Sequence, residues 1–257
     1  MKYLRLWLAL AKNSIIRQLE YRSDFFGGLL LEVVWISSLF VFYKSIFSQV
    51  NQVGNWREPE MMFFAASLFL VDAFYMVLLS KNSQSFPETI RSGIFDFYLL
   101  RPVSALFIST FRYINITGFF NISMAFFLAI KSGVAITPIG ALIWIFYCFV
   151  GFSLLYSLLV IVASMAFWIT QTSSLQWLFF ELYRLGHRPD DIYVKWLQRV
   201  LLFAFPAAFF ISIPVKLALG KLDGLWFLWP ILWTAAAGFI ASLVWRRGLK
   251  VYEGAMS

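Results

Sequence analysis

The sequence predicts an all-α, polytopic integral membrane protein with six transmembrane helices, and three observations carry that prediction. Of its 257 residues, 61% are hydrophobic and only 13% charged, against roughly 45–50% and about 25% in soluble domains. Six apolar windows recur along the chain, near the 20 residues a helix rising about 1.5 Å per residue needs to cross about 30 Å of hydrocarbon. Basic residues also fall in alternate connections. This distribution fixes orientation, because cytoplasmic loops are enriched in Lys and Arg.

Residues 1–24 come first. Leu4, Trp7, Leu8, Ala11, Ile15 and Leu19 fall on one face at helical spacing, with Arg5, Lys12 and Arg17 largely elsewhere. This pattern predicts an amphipathic helix lying in the cytoplasmic interface or docked on the bundle. It does not resemble a cleaved signal peptide, because no continuous apolar core precedes Phe25. The transmembrane domain follows over 25–245, with spans at about 25–47, 61–80, 104–130, 141–169, 200–217 and 225–245 and a cytoplasmic loop at 81–103. The tail, 246–257, is cytoplasmic. Sixteen of the 21 basic residues, or fifteen with Arg112 counted as embedded, lie in the N-terminal segment, the second and fourth connections and the tail. Both termini are therefore expected inside. The formal charge of +8 is assigned to orientation and to anionic lipid headgroups, and not to nucleic acid.

The stretch from Thr170 to Arg199 fits this plan least. Leu175 to Leu185 is apolar and aromatic but short for a span, so it forms a cytoplasmic or interfacial helix or extends the fourth span. In the other arrangement Val200 to Leu217, interrupted by Pro206 and Pro214, is re-entrant and Thr170 to Tyr193 crosses. That arrangement endangers Arg184 and Arg188, and the simpler count is preferred.

The loop Ser83-Gln-Ser-Phe-Pro-Glu-Thr-Ile-Arg-Ser-Gly-Ile-Phe-Asp-Phe-Tyr-Leu-Leu-Arg-Pro-Val103 holds the most information. Ser85 and Glu88 have capping-box spacing, Pro87 falls in a first turn, and Gly93 is a natural stop. A two-turn helix is expected from Phe86 to Ser92. Pro102 then pushes Arg101 out of helical conformation. Ile94, Phe95, Phe97, Tyr98, Leu99 and Leu100 are too apolar for a solvated loop, and are expected on the membrane surface or in a partner's groove.

The run Ile90-Arg91-Ser92-Gly93-Ile94-Phe95-Asp96, continuing to Leu99-Leu100-Arg101-Pro102, resembles the cytoplasmic segment of the permease subunits of ABC transporters, in the type-2, exporter-like branch with six spans in about 260 residues. The resemblance implies a coupling helix, Phe86 to Ser92, docking on a cytoplasmic ATPase subunit. Phe86, Glu88, Ile90, Arg91 and Gly93 would form or flank the docking element, and Asp96, Arg101 and Pro102 would anchor it. It further implies two ATPase copies, a second permease chain forming a homo- or heterodimer, and export across a cell's inner or plasma membrane, a bacterial one. ATP and Mg would sit on the partner, since no Gly-x-x-x-x-Gly-Lys-Ser/Thr phosphate loop occurs here. No catalytic residue, metal site or cofactor is expected on this chain.

Embedded charges are the second signal. Glu32 lies about 10 Å inside the first span and Asp72 about 12 Å inside the second, at 1.5 Å per residue, and Arg112 reaches a similar level. Charges at such depth face a bundle interior or a wet cavity and pair with one another. Arg112 is therefore expected to neutralise Glu32 or Asp72, as a structural pair or as the lining of a polar substrate entrance.

The remaining candidates read blandly. His187 stands alone in a Gly-His-Arg-Pro turn, Asp190-Asp191 reads as a solvated loop cap, and Gly151-Phe152-Ser153 lacks the second glycine of a nucleophile elbow. Two rival functions are a membrane-embedded enzyme, which would need convergent His, Asp or Ser residues, and a non-catalytic membrane scaffold. Copurification of an ATPase separates both from the permease.

Overall fold

The computed structural model describes residues 2–20, 22–169 and 171–252. In chain order the helices are α1 (Lys2–Glu20), α2 (Arg22–Phe47), α3 (Glu58–Leu78), α4 (Ser80–Arg91), α5 (Ile94–Leu99), α6 (Ala105–Phe111), α7 (Gly118–Lys131), α8 (Pro138–Ser164), α9 (Ser173–Leu185), α10 (Lys195–Arg199), α11 (Ser212–Ala218) and α12 (Trp229–Val251). One two-residue hairpin, β1 (Gln52–Val53) with β2 (Trp56–Arg57), joins α2 to α3. Among the described residues, four helices are long and apolar enough to cross a membrane: Phe25–Phe47, Glu58–Arg91, Pro138–Phe167 and Gly224–Val251.

α3 is the axis of the bundle. Met61 through Val71 are buried without interruption, because the helix is apolar all round and is enclosed by α2, α7, α8 and α11. Lipid is as apolar as leucine, so such helices associate through close packing and polar contacts. Trp144 on α8 donates its indole N–H to Ser67 Oγ at 2.7 Å. A Cβ at Gly151 would lie 2.5 Å from the Phe210 carbonyl oxygen. That glycine therefore lets α8 touch the backbone before α11, which is its role in the Gly-Phe-Ser triplet.

Two apolar windows are broken. The third, expected as one span over 104–130, divides into α6 and α7 around residues 112–117. Asn115 Oδ1 accepts from the Thr117 N–H at 3.1 Å and from its hydroxyl at 2.8 Å, a local turn that competes with helix. Backbone groups freed at such a break need partners. Asn82 meets both polar groups of Tyr113, donating to its carbonyl at 2.7 Å and accepting from its N–H at 2.9 Å. From α1, Gln18 accepts from the Ile116 N–H at 3.0 Å and donates to the Ile114 carbonyl, while Ser14 Oγ accepts from the Ile114 N–H at 3.3 Å. α1 thus docks through its polar residues and leaves Leu4, Leu8, Ile16 and Leu19 exposed.

Val200–Leu217, expected as the fifth span, is not one helix. After α10 the chain passes through a π turn at Val200–Ala204, an extended Phe205 before Pro206, a 3₁₀ turn at Ala207–Phe209, and then α11. Proline removes a donor and forces its predecessor out of helix, which explains the interruption. The chain returns to the hairpin end after α11, where Lys221 donates to the Asn55 carbonyl at 2.9 Å. α9 and the turn that follows it instead run beside α3. Gln176, in its first turns, donates to the Ser83 carbonyl at 3.1 Å, and Asp191 beyond its last turn accepts from the Trp56 indole at 3.0 Å.

Candidate functional site

The sequence-derived charges separate into three places. At the hairpin end, Lys44 and Glu58 form an ion pair at 2.5 Å that ties the end of α2 to the start of α3. This pair sets the register of two antiparallel helices. Glu32 lies about 18 Å back along α2 from Lys44, and Asp72 about 21 Å along α3 from Glu58, at 1.5 Å per residue. The two carboxylates therefore reach the same level, and they line one cavity of about 410 Å³ between α2, α3, α7 and α9.

Arg112 is not there. Its guanidinium meets the Tyr98 hydroxyl and lies over the rings of Tyr98 and Tyr113, 5.3 and 5.2 Å from their centroids. The expected pairing with Glu32 or Asp72 is corrected accordingly. The break after α6 turns Arg112 toward α5, where tyrosine faces take up the cation. Asp72 accepts instead from the Tyr183 hydroxyl on α9, and His187 Nε2 lies 3.9 Å from its Oδ1. Glu32 is within hydrogen-bonding reach of Asn121 on α7. His187 is thus a cavity residue, and its orientation follows from α9 running beside α3. Asn121, Tyr183 and His187 were not identifiable from sequence as site residues. Only the Lys44–Glu58 register offered a signal, and it concerns the carboxylates alone.

The hairpin end carries a second acidic centre. Asp190 is buried, which corrects the solvated-cap expectation, and it accepts from Lys216 at 2.7 Å, Gln198 at 3.1 Å and the Ser212 hydroxyl. Asp191 lies 3.1 Å from the same ammonium. Burial by itself would push the Asp190 carboxyl up, but the Lys216 ammonium and the three donors hold it below the usual carboxylate range. Nearby, Lys221 pairs with Glu60 at 2.8 Å and lies over the Trp56 ring. The two buried charges of this centre, Asp190 and Lys216, pair with each other.

The third place is the opposite end of the bundle, where the loop with the family-like residues lies. α4 begins at Ser80 and not at Phe86, continuing α3 almost in line with Pro87 inside it. The capping box does not form: Ser85 Oγ donates to the Asn82 carbonyl and Glu88 pairs with Arg91. Gly93 takes φ of 72°, in the left-handed region, and turns the chain into α5. Phe86 is buried, packed 5.5 Å from Trp245 and 5.8 Å from both Phe95 and Phe167, centroid to centroid. Asp96 accepts from the Tyr252 hydroxyl at 2.8 Å. Glu88, Arg91, Arg101 and Pro102 are exposed and Ile90 is half-buried. Beside them Phe97 and Leu100 are 63% and 81% exposed, a high value for side chains of that size. The segment is anchored by one aromatic face and presents the other, mixed apolar and charged, outward.

No group of three or more His, Cys, Asp or Glu suited to a metal ion occurs among the described residues. Comparison with known proteins gives one positive result: residues 33–256 match the family described as ABC-2 family transporter protein. No curated protein and no solved structure matches the chain. The match spans most of the sequence and agrees with long apolar helices and a multi-pass membrane protein, so the chain belongs to the ABC-2 transporter family, as a membrane component of transporters whose permeases assemble with ATPase subunits.

Proposed function

We propose that the chain is the permease subunit of an ATP-driven exporter, acting with a second permease chain and two cytoplasmic ATPase subunits. The observation that carries this reading is the two-sided segment Ser80–Pro102. Its inner face packs Phe86 and Phe95 among Phe167, Trp245 and Tyr252, which lie at the ends of α8 and α12. Its outer face offers Glu88, Arg91, Phe97 and Leu100 to a partner. An ATPase cleft closing on that face would move the ends of two long helices together. Gly93 holds α4 and α5 at a fixed angle, so the docking surface is preformed.

In this reading six crossings are made by α2, α3 with α4, α6 with α7, α8, α9 and α12, and the segment from Asp190 to Asp223 is re-entrant from the outer side. The basic residues at the Phe86 end support a cytoplasmic position for that end. Supporting the second permease chain, α2 exposes Leu30, Leu31, Val34 and Trp35, and α9 exposes the ion pair of Glu181 and Arg184. An ion pair on a crossing helix needs a protein or aqueous neighbour.

The test is capture of the cognate ATPase by tagged full-length chain. The triple variant E88R/R91E/F97D should lose the ATPase and all ATP-dependent transport while remaining in the membrane. Retention of both by the triple variant would refute the docking role.

A further inference from the structure

The cavity shared by Glu32 and Asp72 has an unequal polar lining. Its acceptors are two carboxylates and the side-chain oxygen of Asn121, and its donors other than the His187 imidazole, 3.9 Å from Asp72, are engaged. The Tyr183 hydroxyl donates to Asp72, Asn121 lines the cavity with Glu32, and Arg184 is engaged by Glu181 at 3.1 Å. Asn121 is 2% exposed, yet its Oδ1 has no hydrogen-bond partner, and the buried His187 Nε2 has none either. Among the described residues no Lys or Arg forms an ion pair with Glu32 or Asp72. An unfilled buried acceptor between two carboxylates calls for a ligand that brings both positive charge and N–H donors.

The walls restrict the ligand further. Trp35, Phe69 and Phe180 line the same space, and aromatic faces attract cations through their quadrupole. A volume of about 410 Å³ suits a small organic molecule. A bare hard metal ion takes six or more oxygen ligands, more than this lining supplies. An anion would meet two negative charges. A wholly apolar molecule would leave Asn121 Oδ1 unpaired.

We propose that this cavity binds an organic ammonium ion, with the ammonium head held by Glu32, Asp72 and Asn121 and an apolar body against Trp35 and Phe180. The proposal rests on the permease reading in naming the ligand as transported cargo, while the site itself stands on the cavity's chemistry. Trp35 and Leu31 line this space and are exposed, so the cavity opens on the face of α2 offered to the second permease chain.

Binding is measured on the purified full-length chain by fluorescence anisotropy. The probe is monodansylcadaverine, a primary ammonium with an aromatic body, compared with its N-acetylated, uncharged counterpart. The wild-type protein should bind the ammonium saturably and the acetylated probe about tenfold or more weakly. Glu32→Gln and Asp72→Asn should each weaken the ammonium about tenfold, converging on the acetylated value, while Asp223→Asn in the outer loop leaves it unchanged. Equal binding of the two probes by wild-type protein overturns the proposal without recourse to any variant. Unaltered ammonium binding by both folded variants overturns it as well. ATPase capture by the Ser80–Pro102 face is read separately, so an intact complex that ignores ammonium refutes the ligand class and leaves the permease reading standing.

Discussion

Asp190 and Asp72 are both shielded aspartates within one bundle, and their surroundings differ in kind. Asp190 has an ammonium at 2.7 Å and further donors from Gln198 and Ser212. Asp72 has a phenol and an imidazole 3.9 Å away, with a second carboxylate facing the same space. The first arrangement is complete without a ligand, and removing any part exposes a buried charge. The second is complete only when something enters. Full pairing therefore marks the hairpin end as a lock, and surplus acceptors mark the interior as a site.

The largest expected effect breaks the lock. Lys216→Met leaves two carboxylates without their ammonium and should destabilise the protein by about 3–5 kcal/mol, read as a lowered unfolding midpoint in detergent. Because the Asp190 carboxyl is held below its usual range, its contribution is present above that range and is lost only as pH falls through the lowered value. The wild-type midpoint should be insensitive to Asp190 between about pH 5 and 8; a steep fall in that window that Lys216→Met abolishes would contradict the assignment.

Next comes Asn82→Ala, which strips both polar groups of Tyr113 of their partner. A loss of about 2 kcal/mol is expected from two unmet buried groups, with faster amide exchange over residues 112–117 as its specific signature. Gly151→Ala should cost about 1–3 kcal/mol by pushing α8 off the Phe210 backbone; an unchanged midpoint would mean the two can part freely.

The interior gives the opposite sign. Glu32→Gln removes a charge that has no ion-pair partner, so stability should hold or rise slightly, within about 1 kcal/mol, while ammonium binding falls. A loss as large as that of Lys216→Met would show that the interior carboxylate is structural, and would erase the contrast. Smallest of all is reversal of the exposed pair, E88R/R91E, expected to alter stability by less than about 0.5 kcal/mol although it lies on the docking face.

How much of this could be read from the residues follows from which signals are local. Apolar length located α2, α3, α8 and α12, and the positive-φ turn at Gly93 follows from its place after a helical run. The loop around Arg91 and Gly93 carried the family resemblance, which the match over 33–256 supports. The break at 112–117 was not legible, whereas Pro206 and Pro214 marked the interruption of Val200–Leu217. Ser104 to Ile130 looks continuous in hydropathy, and only the clamps from Asn82, Ser14 and Gln18, up to 100 positions away in sequence, make an interruption stable. The same limit applies to α9. Thirteen residues are short for a crossing until the contacts of Gln176 with Ser83 and of Asp191, six residues past the helix, with Trp56 show how far the helix and its following turn reach together. Arg112 was misassigned because depth was counted along an unbroken helix.

A Cβ on Gly248 would lie 2.2 Å from Cδ2 of Phe167, so α12 rests directly against that ring, and Phe167 in turn touches Phe86, Phe95 and Trp245. These rings interlock at centroid distances of 5.3 to 5.8 Å, with a cavity of only about 40 Å³ beside Phe86 and Trp245. The junction therefore behaves as a stiff shaft and not as a spring. A push on α4 reaches the ends of α8 and α12 undiminished, and a smaller side chain at Phe167 would loosen the stroke before it loosened the fold.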